Sequence, residues 1–254
     1  MRASTPVRPA LALLLFTVVA CSGSDDEAAT TTTTESTTTT EATTTTTAPA
    51  YETVVARAEV DVIDVYDSED ATEAERELDR RDETTGNLVF VVEEEAVRPD
   101  GRHLVQLPVR PNGSTGWVDA EDVSLTGHDY KMEIDLSGFE LRLYKGGTEM
   151  LATAIGVGTQ DTPTPGGTYY IKELLQPPSP NGPYGTYAYG LSGFSNVLTS
   201  FAGGDGVIGI HGTNQPELIG TEVSHGCIRI ENATISRMVE DVGLPLGVPV
   251  EIIA

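Results

Sequence analysis

Two histidine–glycine pairs and one cysteine lie within seventeen positions of this sequence. His211-Gly212 comes first, and the run Ser224-His225-Gly226-Cys227-Ile228-Arg229 follows. The chain has only two cysteines and four histidines, so half of each type falls in this segment. A thiolate is a strong nucleophile when a base takes the thiol proton and nearby donors stabilise the charge of the intermediate. The segment therefore predicts a cysteine site for acyl transfer.

The base that would serve Cys227 has two candidates. A cysteine of ordinary pKa, about 8.5, is mostly protonated near neutral pH and needs a basic neighbour. His225 precedes Cys227 by two residues, so on a strand the two side chains would point to the same face. His211 ends the apolar segment 207–211, which is predicted to be a neighbouring strand. Spacing alone does not choose between the two histidines.

The residues beside the thiol suggest how a substrate would be held. Gly226 allows a carbonyl to approach the backbone closely, so the N–H groups of Gly226 and Cys227 are candidate oxyanion donors. Arg229 is a fixed cation suited to a substrate carboxylate.

A zinc site is the main chemical alternative, because His211, His225 and Cys227 could supply three ligands. Their spacing matches no metal signature, and no glutamate lies beside them to act as a base. We therefore expect neither a metal nor a cofactor. A second alternative is that Cys227 only packs, as most buried cysteines do.

The other cysteine, Cys21, bears on the compartment. Residues 1–21 begin with arginines, continue through a short apolar core and end at Ala20-Cys21, the pattern of a secretory signal peptide. The apolar core is too short to span a bilayer. The cysteine resembles that of a bacterial lipobox, which predicts lipidation at Cys21; the alternative is an ordinary secreted protein. Lipidation would leave Cys227 as an exported free thiol.

Residues 22–50 contain fourteen threonines and almost nothing apolar, which predicts a disordered linker. Its threonines are candidate sites of O-glycosylation. The formal net charge of the chain is −24. Because nucleic acids and anionic lipids are polyanions, this charge argues against both as partners. A membrane contact is expected only through the lipid anchor.

Residues 51–126 predict a small β domain, from short apolar runs separated by glycine, proline and asparagine turns. Its closing segment, 113–123, resembles the last strands of a bacterial SH3-like domain. The charged excursion 69–83 is predicted to be an exposed helix or loop. The domain could bind the wall or position substrate, or it could be a spacer.

Residues 127–254 predict a second β domain. Alternating residues at 132–136, the runs 141–143, 150–157 and 207–211, and the stretch 248–253 indicate strands. The segment 159–167 is predicted to be a loop, and 176–195 a flap that carries Tyr184, Tyr187 and Tyr189. One helix is predicted after Asn232 as its N-cap.

The segments Ile210-His211-Gly212-Thr213-Asn214 and Ser224-His225-Gly226-Cys227-Ile228-Arg229-Ile230 resemble the signature of the L,D-transpeptidase (YkuD-type) catalytic domain family. The resemblance extends back to about Tyr130 and includes Gly156-Val157-Gly158 and Thr164-Pro165-Gly166-Gly167. It implies a mainly β fold: an SH3-like domain followed by a β-sandwich with one or two helices.

The resemblance also implies an activity. Cys227 would form a thioester with a peptidoglycan tetrapeptide stem and pass it to the side-chain amine of a diamino acid, giving a 3→3 cross-link. His211 would exchange the protons, with His225 beside the thiol. Ser224, Gly226, Arg229, Gly212 and Asn214 are the implied oxyanion and substrate-binding residues. Some family members differ at Gly212 and Arg229, so the base-orienting group is open; a carbonyl near Gly212 is the expectation.

Three acceptors remain open: an amine would give cross-linking, water would give carboxypeptidase activity, and a protein lysine would give protein anchoring. A wall-binding lipoprotein with an inactive site is the non-enzymatic alternative. We expect a monomer that is exported, lipid-anchored on the outer face of the membrane and engaged in cell wall biogenesis.

Overall fold

Strands dominate the structure, as the alternation of apolar and charged residues predicts. This computed structural model describes residues 53–80, 88–93, 101–200 and 204–254. The described residues lie in one compact unit, which spans Thr47–Ala254. The predicted signal peptide 1–21, its Cys21 and the predicted linker 22–50 lie outside the described residues. The mainly β fold class is confirmed.

The first sheet is antiparallel throughout and has seven strands among the described residues, in the order β3-β2-β6-β5-β4-β1-β7. A core of fully buried side chains, which includes Ile63, Phe90 and Val118, holds it together. Its strands are β1 (Thr53–Ala58), β2 (Val62–Tyr66), β3 (Arg76–Asp79), β4 (Val89–Val92), β5 (Arg102–Gln106), β6 (Thr115–Asp119) and β7 (Val123–His128).

One expectation for this sheet was wrong. Within the charged excursion 69–83, where an exposed helix or loop was predicted, Arg76–Asp79 forms strand β3 and pairs with β2. The strand lies at the edge of the sheet and has no fully buried residue, although Leu78 packs partly against the core. Its three charged side chains hide its β character in the sequence. Residues 81–83 lie outside the described residues. The SH3-like assignment and the domain boundaries stay predictions.

The second sheet is mixed and has eight strands among the described residues, in the order β10-β9-β8-β17-β12-β13-β14-β16. The pairs β8–β17 and β14–β16 are parallel, and the other pairs are antiparallel. The strands are β8 (Tyr130–Asp135), β9 (Glu140–Lys145), β10 (Thr148–Ala154), β12 (Gly167–Leu175), β13 (Ala188–Phe194), β14 (Val207–His211), β16 (Ile228–Arg229) and β17 (Pro249–Ile253); β11 (Val157–Gly158) pairs separately with β15 (Glu222–Ser224).

The strands predicted from the runs near 132, 141, 150, 207 and 248 are all present. The flap was predicted too long, since β13 occupies 188–194 and all seven of its residues are buried. Its glycines and serine allow close packing inside a sheet, and those residue types suggested a loop.

The predicted helix is present as α1 (Asn232–Ser236), followed by a turn of π-helix at Arg237–Asp241. Its N-cap is Glu231 and not Asn232, and no side chain caps the N-terminus. Asn232 is the first helical residue, and its side chain is used elsewhere. Ile235 and Met238 are fully buried in the core, as their spacing predicts. None of the described helices is long and apolar enough to cross a membrane.

The two sheets contact each other directly. The hydroxyl of Tyr170, on β12, donates a hydrogen bond to the carbonyl of Val89 at 2.9 Å. The Gln106 amide donates to the carbonyl of Thr168 at 3.0 Å. Val55, Val89 and Tyr170 form a small buried cluster between the sheets.

Candidate active site

Strand pairing brings the two predicted catalytic segments together. The parallel strands β14 and β16 align Ile210 with Ile228 and His211 with Arg229. Cys227 immediately precedes β16, so it lies beside the end of the strand that carries His211. Residues 207–211 were predicted to form a strand neighbouring the cysteine segment, and the pairing of β14 with β16 confirms this.

The His211 ring is oriented by its own backbone neighbour. The side chain is only 4% exposed, and Nδ1 lies 2.6 Å from the carbonyl oxygen of Gly212. A carbonyl can only accept, so Nδ1 carries the proton and Nε2 keeps its lone pair. A carbonyl near Gly212 was the expected base-orienting group, and the structure has it.

The charge states of the pair follow from burial. Burial lowers the pKa of His211 to about 4; the Gly212 carbonyl opposes the shift, and the Arg229 cation adds to it. Burial raises the pKa of the Cys227 thiol, while a backbone hydrogen bond from Gly209 and the Arg229 cation oppose the rise. Near neutral pH the resting site therefore holds a neutral thiol and a neutral imidazole. The thiol must lose its proton during attack.

A pocket of about 280 Å³ opens over the thiol. Cys227, His211 and His225 all line it, and so do Ser224 and Arg229. Five of the eight residues predicted for catalysis and binding thus share one cavity. The remaining lining residues are Pro183, Tyr184, Ser195, Leu198, Gly206, Val207 and Ile208.

Ser224 shapes the turn that presents the thiol. Its hydroxyl donates to the Cys227 carbonyl at 2.5 Å and accepts from the Gly226 N–H at 3.0 Å. Gly226 has φ +117°, a conformation that side chains rarely adopt. Because the Gly226 N–H already has an acceptor, its role as an oxyanion donor stays a prediction.

The loop that follows β11, residues 159–166, is hydrogen-bonded to this turn. The Thr159 N–H donates to the Ser224 carbonyl at 3.0 Å, and the Thr162 hydroxyl reaches the same carbonyl at 3.4 Å. The Thr164 hydroxyl accepts from the Gly158 N–H at 2.9 Å. The loop was predicted over 159–167, but its role in holding Ser224 was missed; the repeated threonines were the available signal.

Arg229 faces the pocket with part of its guanidinium uncommitted. Its Nη1 donates to the Gln215 side chain at 3.3 Å. Its buried Nε has no hydrogen-bond partner among the described residues. A buried donor without a partner favours an incoming acceptor such as a carboxylate. Gln215 was not predicted from the sequence.

Close packing fixes the His211-Gly212 turn. A Cβ on Gly212 would lie 2.1 Å from the Asn232 side-chain oxygen and 3.1 Å from the Gly185 Cα. The same Asn232 oxygen accepts from the Thr213 N–H at 3.0 Å. Asn214, predicted as a binding residue, is exposed and lies outside the residues that line the pocket.

Of the three tyrosines of the predicted flap, Tyr184 is at the site. Its ring packs edge-on against His211, with the ring centroids 4.9 Å apart. Burial and the nearby Cys227 charge raise its pKa, and Arg229 opposes the rise. Tyr187 instead donates to Glu240 at 3.0 Å, and Tyr189 is fully buried in the core.

His225 lies on the rim, exposed to solvent. Among the described residues no group of three or more histidine, cysteine, aspartate or glutamate side chains is arranged to hold a metal ion. His211, His225 and Cys227 do not form such a group.

Residues 129–252 match the family model of the YkuD-type L,D-transpeptidase catalytic domain. The resemblance inferred from the sequence is thereby confirmed for this part of the chain. The match includes the pocket and its cysteine.

Curated relatives match over a shorter range. The YkuD protein of Bacillus licheniformis is 37% identical over 106 residues, which are 42% of this chain and 56% of that protein. The YkuD protein of Bacillus subtilis is 34% identical over 106 residues, again 42% of this chain and 56% of that protein. The chain thus spans about half the length of these relatives.

Solved structures of L,D-transpeptidases also align. One from Mycobacterium smegmatis is 14% identical with a TM-score of 0.42, covering 65% of this chain and 90% of that one. The catalytic domain from Enterococcus faecium is 25% identical with a TM-score of 0.35, covering 50% of this chain and 98% of that domain.

Proposed function

We propose that residues 129–252 act as a peptidoglycan L,D-transpeptidase that uses Cys227 as its nucleophile. One observation carries the proposal. The imidazole of His211, with Nδ1 committed to the Gly212 carbonyl at 2.6 Å, opens on the same pocket as the Cys227 thiol. An oriented base beside a thiol is the arrangement that acyl transfer requires. The family match over residues 129–252 supports the same activity.

In the first half-reaction the Cys227 sulfur attacks the carbonyl carbon of the third residue of a tetrapeptide stem. The thiol proton moves to His211 Nε2 as the sulfur–carbon bond forms. The carbon–nitrogen bond to the terminal D-alanine then breaks, and the same proton passes to the leaving amine. A thioester on Cys227 and free D-alanine result. Because the pKa of His211 is about 4, the imidazole is neutral near pH 7 and its Nε2 lone pair is free to take the proton. The same low pKa makes it a weak base, so the proton is held only until the leaving amine takes it.

In the second half-reaction the side-chain amine of a diamino acid in another stem attacks the thioester. His211 accepts a proton from that amine and returns it to the departing sulfur. The new amide is a 3→3 cross-link. The Arg229 guanidinium, with its buried Nε lacking a partner among the described residues, is proposed to bind a stem carboxylate.

The thioester could be attacked by an amine, by water or by a protein lysine. The acceptor side of the pocket determines which of the three attacks. We favour the amine, because Tyr184, Pro183 and Leu198 line the pocket with Cys227 and are proposed to restrict the access of water to the thioester. Such shielding slows hydrolysis of a thioester.

We also propose that the protein works outside the membrane, anchored by a lipid on Cys21 and extended by the threonine-rich linker 22–50. The composition of residues 1–50 supports this placement. Metabolic labelling with a palmitate analogue would show a lipidated full-length chain that the Cys21→Ala variant does not give.

Mass spectrometry of the intact chain tests the activity. Incubation with a tetrapeptide stem alone should add the mass of the tripeptide acyl group to Cys227. A diamino-acid amide supplied afterwards should remove that mass and give a cross-linked peptide. Release by water alone at the same rate would instead establish carboxypeptidase activity.

Cys227→Ser and Cys227→Ala are the matched controls, because both keep a small side chain at the same backbone position. We expect neither variant to turn over substrate and both to keep the fold. Turnover by either variant would reject Cys227 as the nucleophile. An adduct on any other residue would do the same.

A further inference from the structure

The turn between β5 and β6 reaches from the first sheet to the second. Arg110, at its tip, donates hydrogen bonds to three backbone carbonyls of one segment of the second sheet. Nη1 contacts the Ser195 oxygen at 2.8 Å, and Nη2 contacts the oxygens of Leu198 and Asp205, each at 3.0 Å. A single planar guanidinium thus ties together both ends of the connection between β13 and β14.

Asn112, two residues further on, binds the end of β13. Its Nδ2 donates to the Phe194 carbonyl at 2.8 Å, and its Oδ1 accepts from the Phe194 N–H at 2.9 Å. The amide therefore pairs with both backbone groups of Phe194, as a neighbouring strand would. We call Arg110 and Asn112 the clamp.

The clamped segment forms one side of the cysteine pocket. Ser195, Leu198 and Gly206 all line the pocket, and we call them the pocket wall. Two residues of the wall are joined by a backbone hydrogen bond, which the Ser195 N–H donates to the Gly206 carbonyl at 2.8 Å. The Ser195 hydroxyl accepts from the Leu198 N–H at 3.0 Å. Every clamp contact falls on the wall or on a residue next to it.

The two sheets also contact each other away from the clamp. Tyr170 and Gln106 join them at a separate place, through a buried cluster and two hydrogen bonds. Arg110 is exposed, and its guanidinium lies over the Phe194 ring, 4.8 Å from the ring centroid. Its contacts fall on the described ends of the connection, 195–200 and 204–206, the second of which contains Gly206 at φ +71°. Such a connection is easily deformed without them.

We propose that Arg110 and Asn112 are positioning residues: the first sheet holds the pocket wall in the shape that accepts a stem peptide. This inference rests on the proposed function, because the peptide is the ligand that the wall would contact. It assigns the first sheet a part in substrate binding, in place of the spacer role that the sequence left open as an alternative.

The test compares Arg110→Lys, Asn112→Ala and the double variant Arg110→Ala/Asn112→Ala with the wild-type full-length chain. Arg102→Lys is the matched control. The Arg102 guanidinium also binds three carbonyls, those of Ser68, Glu69 and Ala71, but they belong to the first sheet and none lines the pocket.

Three measurements are made on each variant. The first is the KM and kcat of thioester formation with a tetrapeptide stem. The second is the rate at which iodoacetamide, a reagent too small to need the wall, alkylates Cys227. The third is hydrogen exchange of peptides that contain Ser195 and Leu198.

We expect the double variant to raise KM about fivefold with kcat and the alkylation rate within about twofold of wild type. Arg110→Lys should raise KM about twofold, since an ammonium cannot contact three separated carbonyls in one plane. Hydrogen exchange at Ser195 and Leu198 should be faster in both variants. Arg102→Lys should leave all three measurements unchanged.

An unchanged KM in the double variant would overturn the proposal, and so would an equal rise in KM for Arg102→Lys. If the wild-type chain formed no thioester with any stem peptide, the proposed function would fail. In that case only the hydrogen-exchange measurement would test whether Arg110 and Asn112 hold the pocket wall. Unchanged exchange at Ser195 and Leu198 in the double variant would reject it.

Discussion

The two histidine–glycine pairs of this chain are identical in sequence and opposite in structure. His211 ends a strand and is 4% exposed, and its ring is held by the Gly212 carbonyl. His225 lies in a turn on the pocket rim, and its ring is exposed. The glycines differ as well. Gly212 gives room for Asn232, whereas Gly226 supplies a φ of +117°.

The difference shows how the fold assigns separate tasks to one dipeptide. A base must keep one nitrogen free and one orientation, which a buried strand end provides. A turn beside a nucleophile must bring backbone close to the substrate, which a glycine of positive φ provides. His211 is therefore the residue we assign as base, and His225 contributes to the rim.

Removing each imidazole in turn is the strongest test of whether His211 and His225 have different roles. His211→Ala should lower kcat/KM by about 10³-fold, because the proton has no oriented acceptor. His225→Ala should lower it less than about tenfold. Steady-state kinetics of thioester formation measures both. A larger loss for His225→Ala would exchange the roles of the two residues.

The pH dependence of the free energy of unfolding tests the burial of His211. The pKa of His211 is about 4 in the folded chain against an ordinary 6.5, so the unfolded chain binds more protons between these values. The free energy of unfolding should therefore fall by about 3 kcal/mol as the pH is lowered from 7 to 4. Urea unfolding of His211→Gln should lack this part of the fall.

His225→Gln is the control for that measurement, since it makes the same substitution at the exposed histidine of the pocket. Its unfolding free energy should decrease with acid as the wild type does. Carboxylate titrations are common to all three proteins and cancel in the differences. Equal pH dependence of His211→Gln and wild type would contradict a buried neutral His211.

Alanine at the two glycines separates their tasks. Gly212→Ala and Gly226→Ala should each lower the free energy of unfolding by about 1–3 kcal/mol, the first through contact with Asn232 and the second through backbone strain. Asn232→Ala should therefore recover about 1 kcal/mol of the Gly212→Ala loss, as a double-mutant cycle would measure. It should recover none of the Gly226→Ala loss, and recovery of both would contradict separate causes.

Arg229 lines the pocket with both His211 and Cys227, and a moderate effect is expected there. Arg229→Ala should lower kcat/KM about tenfold, less than His211→Ala, through loss of a substrate cation contact. The pKa of His211 should rise, because the Arg229 cation holds it down. The acid limb of the pH–rate profile should then move to higher pH. Arg229→Lys keeps the charge and should keep the limb in place; an unmoved limb in Arg229→Ala would reject the coupling.

The sequence predicted most strands, and five of the twelve residues that line the pocket over the thiol were predicted for catalysis or binding. Alternation at 132–136 and the run 207–211 were sufficient, because their side chains are buried on one face or both. β3 and β13 were missed for opposite reasons. Arg76–Asp79 has no buried side chain, and 188–194 is rich in small residues that suggest a loop.

The choice of base could not be made from spacing. It depends on the pairing of β14 with β16, a contact between segments that are separated by two turns in the chain. The roles of Gln215, Tyr184 and Arg110 are also contacts across the fold. Local patterns do not record contacts of that kind, so only the structure shows them.

The position of β17 has a consequence for how the polypeptide acquires its shape. Pro249–Ile253 follows every other strand in the chain, yet it lies in the middle of the eight-stranded sheet, between β8 and β12. The sheet cannot close until this segment has emerged from the ribosome, and the long sequence separation makes closure slow. Until then β12, β13, β14 and β16, the strands on the pocket side of the sheet, lack the neighbour that joins them to β8.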